Sequence, residues 1–130
     1  MKRVMVRYKL KADRVEENKQ LVKAIFEELI KNKPDGVFAV DEHASVTAMK
    51  LGIQNGYKIP QDLSIIGFAD GVWSRRMTPS LSTVSQHGPE IGEVAAQLLI
   101  DKLESEEETF TFTTTTIKTE LRQRDSTKRL

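Results

Sequence analysis

Two short apolar segments decide the fold of this chain: Val37-Phe38-Ala39-Val40 and Leu63-Ser64-Ile65-Ile66-Gly67-Phe68. Each segment runs directly into a polar loop, and such short apolar runs are typical of strands buried in a parallel sheet. The first loop begins Asp41-Glu42-His43 and the second begins Ala69-Asp70-Gly71. Ligands bind in the crevice beyond the carboxyl ends of such strands, so the sequence predicts a small-molecule site at these two loops.

Helical patterns surround the two strands. Apolar residues recur at helical spacing in the segments 15–30, 44–55 and 89–103, and turn residues separate these segments from the strands. Residues 4–8 alternate as a strand does, residues 69–80 read as a loop, residues 81–84 return to extended structure, and the Thr-rich residues 109–119 predict a final strand. This order predicts an α/β fold, a layered domain with a mostly parallel sheet.

Length and composition restrict the class of protein. The 130 residues suffice for one domain, and 20 basic against 19 acidic residues leave no overall field that would attract nucleic acid or a membrane. The chain has no cysteine, which excludes disulfides and thiolate chemistry and suits a reducing compartment. No apolar run approaches the roughly 20 residues that span a bilayer. We therefore expect a cytoplasmic protein without membrane contact.

The first loop has two interpretations that the sequence leaves open. Asp41 and Glu42 follow a strand and precede a helix. Their carboxylates suit a clamp for the hydroxyl or amine groups of a small molecule, and they equally suit capping of the helix that follows. His43 and His87 are the two histidines and have no spacing typical of a metal site, so we expect no metal.

The second loop contains Trp73, the only tryptophan, with Arg75 and Arg76 beside it. An aromatic ring next to a guanidinium suits stacking on a sugar or base and contact with an anionic group. The alternative is that Trp73 covers the end of the sheet and that the arginines are solvated. The chain has no nucleophile motif and no phosphate-binding glycine motif. We therefore expect no catalytic residue, no cofactor and no enzymatic activity.

Several motifs, in order and at matching spacing, resemble one family. They are KPDGVFA (33–39), GYKIPQDLSIIGF (56–68), PSLSTVSQ (79–86), GEVAAQLL (92–99) and ELRQRDST (120–127). Together they are similar to the C-terminal part of LacI/GalR-type bacterial transcription regulators, the lactose and galactose repressor family. The resemblance implies a periplasmic-binding-protein-like fold that binds a sugar or nucleoside effector and forms a homodimer.

The resemblance also implies roles for individual residues. Glu42 matches an acidic residue that contacts the effector, although relatives usually have Asn-Asp where this chain has Asp41-Glu42. The second loop and Gln86 match positions that face the cleft. Two further departures are Ala69, which replaces a common Asp, and His87, which stands where Pro is frequent. The complete set of predicted ligand-binding residues is Asp41, Glu42, Asp70, Trp73, Arg75 and Gln86.

Other parts of the family pattern are missing from this chain. The DNA-binding helix-turn-helix and the N-terminal subdomain have no counterpart, so we expect no DNA contact by this chain alone. In relatives, the helix matching residues 89–103 packs on that N-terminal subdomain. The helix at residues 44–55 matches one that relatives use for dimerisation.

Residues 1–33 show a shorter resemblance, to the first strand and helix of small ferredoxin-like dimeric α+β barrel proteins. We therefore predict a single domain, 1–130, with a strand-helix segment at 1–33 and a repressor-like effector-binding segment at 34–130. The predicted function is effector binding and dimerisation in a transcription regulator. The alternative is a chimeric, self-associating scaffold without a ligand, and a small ferredoxin-like enzyme ranks third.

Overall fold

The computed structural model describes residues 13–105 and 113–128, which form four helices and four strands. In chain order these are α1 (Val15–Lys31), β1 (Gly36–Ala39), α2 (Glu42–Gln54), β2 (Ser64–Phe68), α3 (Val72–Arg76), β3 (Ser82–Ser85), α4 (Gly88–Glu104) and β4 (Glu120–Arg122).

The four strands form one sheet in the order β1-β2-β3-β4. β1, β2 and β3 are parallel neighbours, and β4 pairs with β3 in the antiparallel direction. The predicted α/β fold with a mostly parallel sheet is therefore confirmed. Because parallel strands end on the same side, the loops after β1, β2 and β3 leave from one edge of the sheet, which we call the carboxyl edge.

Helix α2 covers one face of the sheet. The core on this face consists of buried residues from α2, β2 and the segments beside them: Ala48, Met49, Leu63, Ile65 and Leu81. The helix approaches β2 closely, since a Cβ added at Gly67 would collide with the side chain of Ser45. Glycine at position 67 therefore permits the contact between α2 and the sheet.

The opposite face of the sheet is exposed at its two edge strands and half-buried between them. Side chains alternate between the two faces of a strand, so the residues next to Ile65 and Gly67 point away from α2. The strand register aligns these residues in two rows, Phe38 with Ile66 and Phe68 with Val84 and Leu121. Phe38 is 58% exposed and Leu121 is 63% exposed.

The segment after β4 closes the amino ends of β2 and β3. Ser126 is fully buried. Its carbonyl accepts a hydrogen bond from the Ile65 amide at 2.8 Å, and its hydroxyl donates to the Ile65 carbonyl at 2.6 Å. The Ser126 hydroxyl also accepts from the Ser82 amide at 2.8 Å. These bonds link the last described turn of the chain to two central strands.

Two of the predicted elements differ from the structure. The loop predicted over residues 69–80 contains the short helix α3. The strand predicted over residues 109–119 is wrong where it is described, because residues 113–119 have no regular secondary structure and the strand is Glu120–Arg122. Threonine favours extended backbone, but a strand also needs a partner, and it is Leu121 that lies opposite Val84 of β3.

Part of the predicted pattern lies outside the described residues. This applies to the strand at residues 4–8 and to most of the apolar side chains of α1. Helix α1 itself is confirmed, as is α4, which has Pro89 in its first turn as predicted. Phe26 of α1 is half-buried and packs against the core on the α2 side.

Candidate functional site

The predicted site residues lie on the loops that leave the carboxyl edge. Asp41 and Glu42 follow β1, Asp70, Trp73 and Arg75 follow β2, and Gln86 follows β3. Because β2 lies between β1 and β3, the structure brings the three loops side by side. Within the loops, the six side chains have very different surroundings.

Asp41 is the N-cap of α2. Its backbone is extended, with φ −152° and ψ 168°, and its Oδ1 accepts a hydrogen bond from the Ala44 amide at 2.7 Å. Its carbonyl accepts from the hydroxyl of Ser45 at 2.6 Å. An Asp at this position satisfies one of the free amides of the first helical turn. The capping interpretation of the first loop is thus observed for Asp41, whose side chain is also exposed to solvent.

Glu42 joins the first loop to the second. Its Oε1 accepts hydrogen bonds from the amides of Trp73 at 3.1 Å and Ser74 at 3.2 Å, at the beginning of α3. A Cβ added at Gly71 would overlap the Glu42 carboxylate, so the glycine leaves the space that this carboxylate occupies. A carboxylate at a helix N-terminus also meets the positive end of the helix dipole. Glu42 therefore fixes the position of α3.

Asp70 is the centre of a polar cluster, and its side chain is only 2% exposed. Its Oδ1 accepts hydrogen bonds from Thr83 Oγ1 at 2.8 Å and Arg124 Nη2 at 2.7 Å, and lies 3.1 Å from Ser74 Oγ. Its Oδ2 accepts from Arg122 Nη1 at 2.5 Å and contacts Arg75 Nη2 at 3.3 Å. We call these six residues the Asp70 network. It connects the second loop to β3, β4 and the segment after β4.

The network changes the acidity of Asp70. Burial alone would raise the pKa of this carboxyl and is the largest single influence, but the hydrogen bonds from Thr83, Arg124, Arg122 and Ser74 together outweigh it. The pKa of Asp70 is therefore held well below its usual range. Its partner responds in the opposite sense, since the hydrogen bonds to Asp70 and then Glu120 raise the pKa of Arg122. Asp70 is accordingly a permanent anion at neutral pH.

The other predicted residues face solvent to a greater degree. Trp73 is 62% exposed. It therefore does not cover the end of the sheet, as the alternative interpretation of this residue required. The side chain of Arg75 is 64% exposed despite its contact with Asp70. Gln86 is half-buried at the end of β3. Trp73 and Arg75 are the predicted residues best placed to meet a molecule from solvent.

Sequence reasoning missed several residues of the site. Thr83, Arg122 and Arg124 surround Asp70 although they lie 13, 52 and 54 positions further along the chain. No local pattern signals such a contact, because β4 and the segment after it reach Asp70 only through the antiparallel pairing of β4 with β3. The sole hint was that Arg122 and Arg124 alternate with Leu121 and Gln123 in an otherwise polar segment.

Two departures from the family pattern coincide with unusual backbone at the carboxyl edge. Ala69 has φ 75° and His87 has φ 53°. Both values lie in the left-handed region that residues other than glycine seldom adopt, with histidine among the more tolerant. Proline, the residue that the resemblance led us to expect at position 87, is limited to φ near −65°. The observed turn into α4 is thus available to this chain and closed to a proline.

Metal and membrane sites receive no support from the described part of the chain. Within residues 13–105 and 113–128, no three His, Asp or Glu side chains are grouped so that they could hold a metal ion. None of the helices in those ranges combines the length and the apolar composition that crossing a lipid bilayer requires.

Comparison with known proteins identifies the family of this chain. A model of the periplasmic binding protein-like domain matches residues 2–127. The chain belongs to this family. The match includes the segment before residue 34, and the division of the chain at that position stays a prediction.

Curated relatives of this periplasmic binding protein-like chain are transcription regulators. It is 34% identical over 79 residues to the ribose operon repressor of Haemophilus influenzae, which is 61% of this chain and 24% of that protein. It is 33% identical over 95 residues to the transcriptional regulator GalR of Streptococcus thermophilus, which is 73% of this chain and 28% of that protein. The chain therefore spans about a quarter of the length of these relatives.

Solved structures of similar fold come from the same kind of protein. One is a LacI family transcriptional regulator from Enterococcus faecium with bound ribose, at 28% identity and a TM-score of 0.74, covering 84% of this chain and 40% of that one. Another is the transcription regulator CcpA of Lactococcus lactis, at 25% identity and a TM-score of 0.72, with the same coverage of 84% and 40%. The predicted resemblance to LacI/GalR-type regulators is confirmed.

Proposed function

We propose that this chain is the effector-binding and dimerisation part of a bacterial transcription regulator, that it acts in the cytoplasm, and that it has no enzymatic activity. The observation that carries the proposal is the family match over residues 2–127. The relatives described above are repressors and regulators. In this proposal the chain by itself makes no contact with an operator.

The proposed effector is a sugar or nucleoside held at the carboxyl edge. Trp73 offers an exposed indole for stacking on the C–H face of a sugar ring or on a base. Arg75 offers N–H donors for hydroxyl oxygens, and its contact with Asp70 limits the positions it can take. Gln86 adds an amide that can both donate and accept. Asp41, on the neighbouring loop after β1, is the fourth proposed contact.

In this proposal the two carboxylates with internal partners support the site from behind. Glu42 holds the amides of α3, and Asp70 holds Arg75 and Ser74 of the same helix. The resemblance matches Glu42 to an acidic residue that contacts the effector. In this proposal Glu42 would instead influence effector binding indirectly, by holding Trp73 in place. Ribose, the ligand of the E. faecium regulator, is the first candidate to test.

The test is a thermal-shift screen followed by isothermal titration with ribose, lactose and nucleosides. A ligand that binds only the folded chain raises its stability by about 2.7 kcal/mol at a concentration 100 times Kd. We expect a shift with at least one of these compounds. Trp73→Ala should abolish it, while Val72→Ala, the neighbouring residue at 60% exposure, should leave it unchanged.

One observation favours a second candidate function, the self-associating scaffold without a ligand. Glu42 and Asp70 already accept hydrogen bonds from the chain itself, and a site with one wall seldom encloses most of a ligand. If no compound of the screen shifts the melting temperature at saturating concentration, the scaffold is the better description. An equal shift in the wild type and in Trp73→Ala would place the ligand elsewhere.

A further inference from the structure

The Asp70 network exposes two of its arginines to solvent and buries its carboxylate. The side chain of Asp70 is 2% exposed, whereas those of Arg122 and Arg75 are 33% and 64% exposed. Both arginines contact the same oxygen, Asp70 Oδ2, at 2.5 Å for Arg122 Nη1 and 3.3 Å for Arg75 Nη2. A molecule that reaches this part of the carboxyl edge therefore meets two guanidinium groups before it meets the carboxylate.

The charges of this cluster do not balance. Three guanidinium groups, those of Arg75, Arg122 and Arg124, contact the single carboxylate of Asp70. In the described part of the chain, Glu120 is the one other carboxylate paired with them, and its Oε2 accepts from Arg122 Nε at 3.1 Å. Arginine stays protonated in proteins. The cluster therefore has one positive charge more than its carboxylates neutralise, and an anion beside it would be stabilised.

The two exposed arginines also retain hydrogen-bond donors. A guanidinium has five N–H donors. Arg75 donates one hydrogen bond, to Asp70, and Arg122 donates two, to Asp70 and Glu120. Because both side chains touch the same oxygen of Asp70, their guanidinium groups lie close together. Such planar forks bind carboxylate and phosphate oxygens through paired hydrogen bonds, so the remaining donors suit an anionic group.

The carboxylates of the first loop lie on the other side of β2. Asp41 and Glu42 follow β1, whereas Arg122 belongs to β4, and the strand order is β1-β2-β3-β4. Glu42 accepts from two amides at the start of α3, where the helix dipole partly offsets its charge. The carboxyl edge is thus acidic toward β1 and basic toward β4. A molecule with hydroxyl groups at one end and an anionic group at the other matches this distribution.

We propose that the effector carries an anionic group, a phosphate or a carboxylate, and that Arg75 and Arg122 bind this group together. The effector is then a phosphorylated or acidic sugar, or a nucleotide, whose hydroxyl groups are directed toward Asp41. This inference deepens the proposed function and rests on it. It adds Arg122 to the site as the residue that selects an anionic effector over the neutral compound of the same skeleton.

Glu120 competes with the effector for Arg122 in this arrangement. Its side chain is 56% exposed, and it lies two residues before Arg122 on the same strand. An exposed ion pair of this kind contributes little to stability. The anionic group of an effector can therefore replace Glu120 at Arg122 Nε with a small loss of stability, and the charge of Glu120 weakens the binding of that group.

The test is isothermal titration of the full chain with pairs of compounds that differ in the anionic group. The pairs are ribose 5-phosphate with ribose, adenosine monophosphate with adenosine, and galacturonate with galactose. We expect the anionic member of at least one pair to bind about tenfold or more tightly than the neutral member. The pair that shows the difference identifies the group as phosphate or carboxylate. Higher ionic strength should reduce the difference, because salt screens exposed charges.

Three substitutions locate the anionic group. Arg122→Gln should remove the preference and leave the Kd of the neutral compound within about twofold of the wild type. Arg76→Gln is the matched control and should keep the preference, since Arg76 is exposed and has no ion pair in the described part of the chain. Glu120→Gln should strengthen binding of the anionic compound by about two- to fivefold. This last variant keeps every contact of Asp70, so it tests the inference even if Arg122→Gln fails to fold, which circular dichroism detects.

The remaining outcomes separate this inference from the proposed function. Neutral compounds that bind the wild type as tightly as their anionic partners would overturn the inference and retain effector binding. A preference for the anionic compound that survives Arg122→Gln would place the anionic group elsewhere and would also overturn it. If no member of any pair binds, both the inference and the ligand part of the proposed function are wrong. Trp73→Ala should weaken both members of a pair equally, because the indole contacts the sugar or base that they share.

Discussion

The Asp70 network and helix α4 reverse the usual relation between polarity and burial. The Asp70 side chain is 2% exposed, whereas Leu99 of α4 is 61% exposed. Asp70 can be buried because every lone pair faces a donor, and α4 is exposed because nothing in the described chain covers it. The difference shows that burial follows the availability of partners rather than the character of the residue alone.

The two regions also differ in how they depend on the fold. The network joins residues from the loop after β2, from β3 and from the segment after β4, so it forms only once the sheet is assembled. Helix α4 is continuous in sequence, and its pattern could be recognised without the rest. A substitution that removes one hydrogen-bonding side chain should therefore lower the stability strongly in the Asp70 network and only slightly in α4.

The largest expected effect comes from Asp70→Asn. The substitution keeps the shape of the side chain but removes the charge opposite Arg122 and Arg124. Breaking one side of a buried ion pair costs about 3–5 kcal/mol, and we expect about 3 kcal/mol because Arg122 is 33% exposed. Urea denaturation measures the loss. Asp101→Asn on α4, whose carboxylate accepts from Gln97 in a surface pair, should change stability by less than about 0.5 kcal/mol.

Acid should remove the part of this stability that depends on the charge of Asp70. The folded pKa lies below the usual value, so the contribution is complete above the unfolded pKa of about 3.9 and is lost as the pH falls below it. The difference in unfolding free energy between wild type and Asp70→Asn should therefore be constant from pH 7 to about pH 5 and shrink toward pH 3. A difference independent of pH would mean that the charge of Asp70 does not account for the effect of the substitution.

Gly71→Ala tests the link between the two loops. Its φ of −80° and ψ of −175° suit alanine, so the cost comes only from displacement of the Glu42 carboxylate. Loss of this cap should lower stability by about 1 kcal/mol. In a Glu42→Ala background the collision is absent, and Gly71→Ala should instead raise stability by about 0.4–1 kcal/mol through the unfolded state. If Gly71→Ala changes the stability in the same direction with and without Glu42, then Glu42 does not fix the position of α3.

Much of the fold follows from local patterns. The two apolar strands, α2 and α4 are where periodicity and turn residues predict them, and the loops after β1 and β2 share the carboxyl edge as expected. The final strand was misplaced because threonines at 113–116 favour extended backbone, whereas the position of a strand depends on the edge it pairs with. Asp70 was selected as a ligand-binding residue for its place on a loop, but its donors come from distant segments that no local pattern reveals. Its role toward an effector stays a prediction, as do those of the other five site residues.

The smallest effect is expected from Leu103→Ser on α4, since Leu103 is 76% exposed, more than any other large apolar residue whose side chain the structure describes. In dilute solution, where copies are separate, the unfolding free energy should change by less than about 0.5 kcal/mol. Met49→Ala in α2 is the matched control, since Met49 is fully buried and its truncation should cost about 2–5 kcal/mol. A large loss in dilute solution would mean that α4 already packs within its own chain, and the contrast with the Asp70 network would disappear.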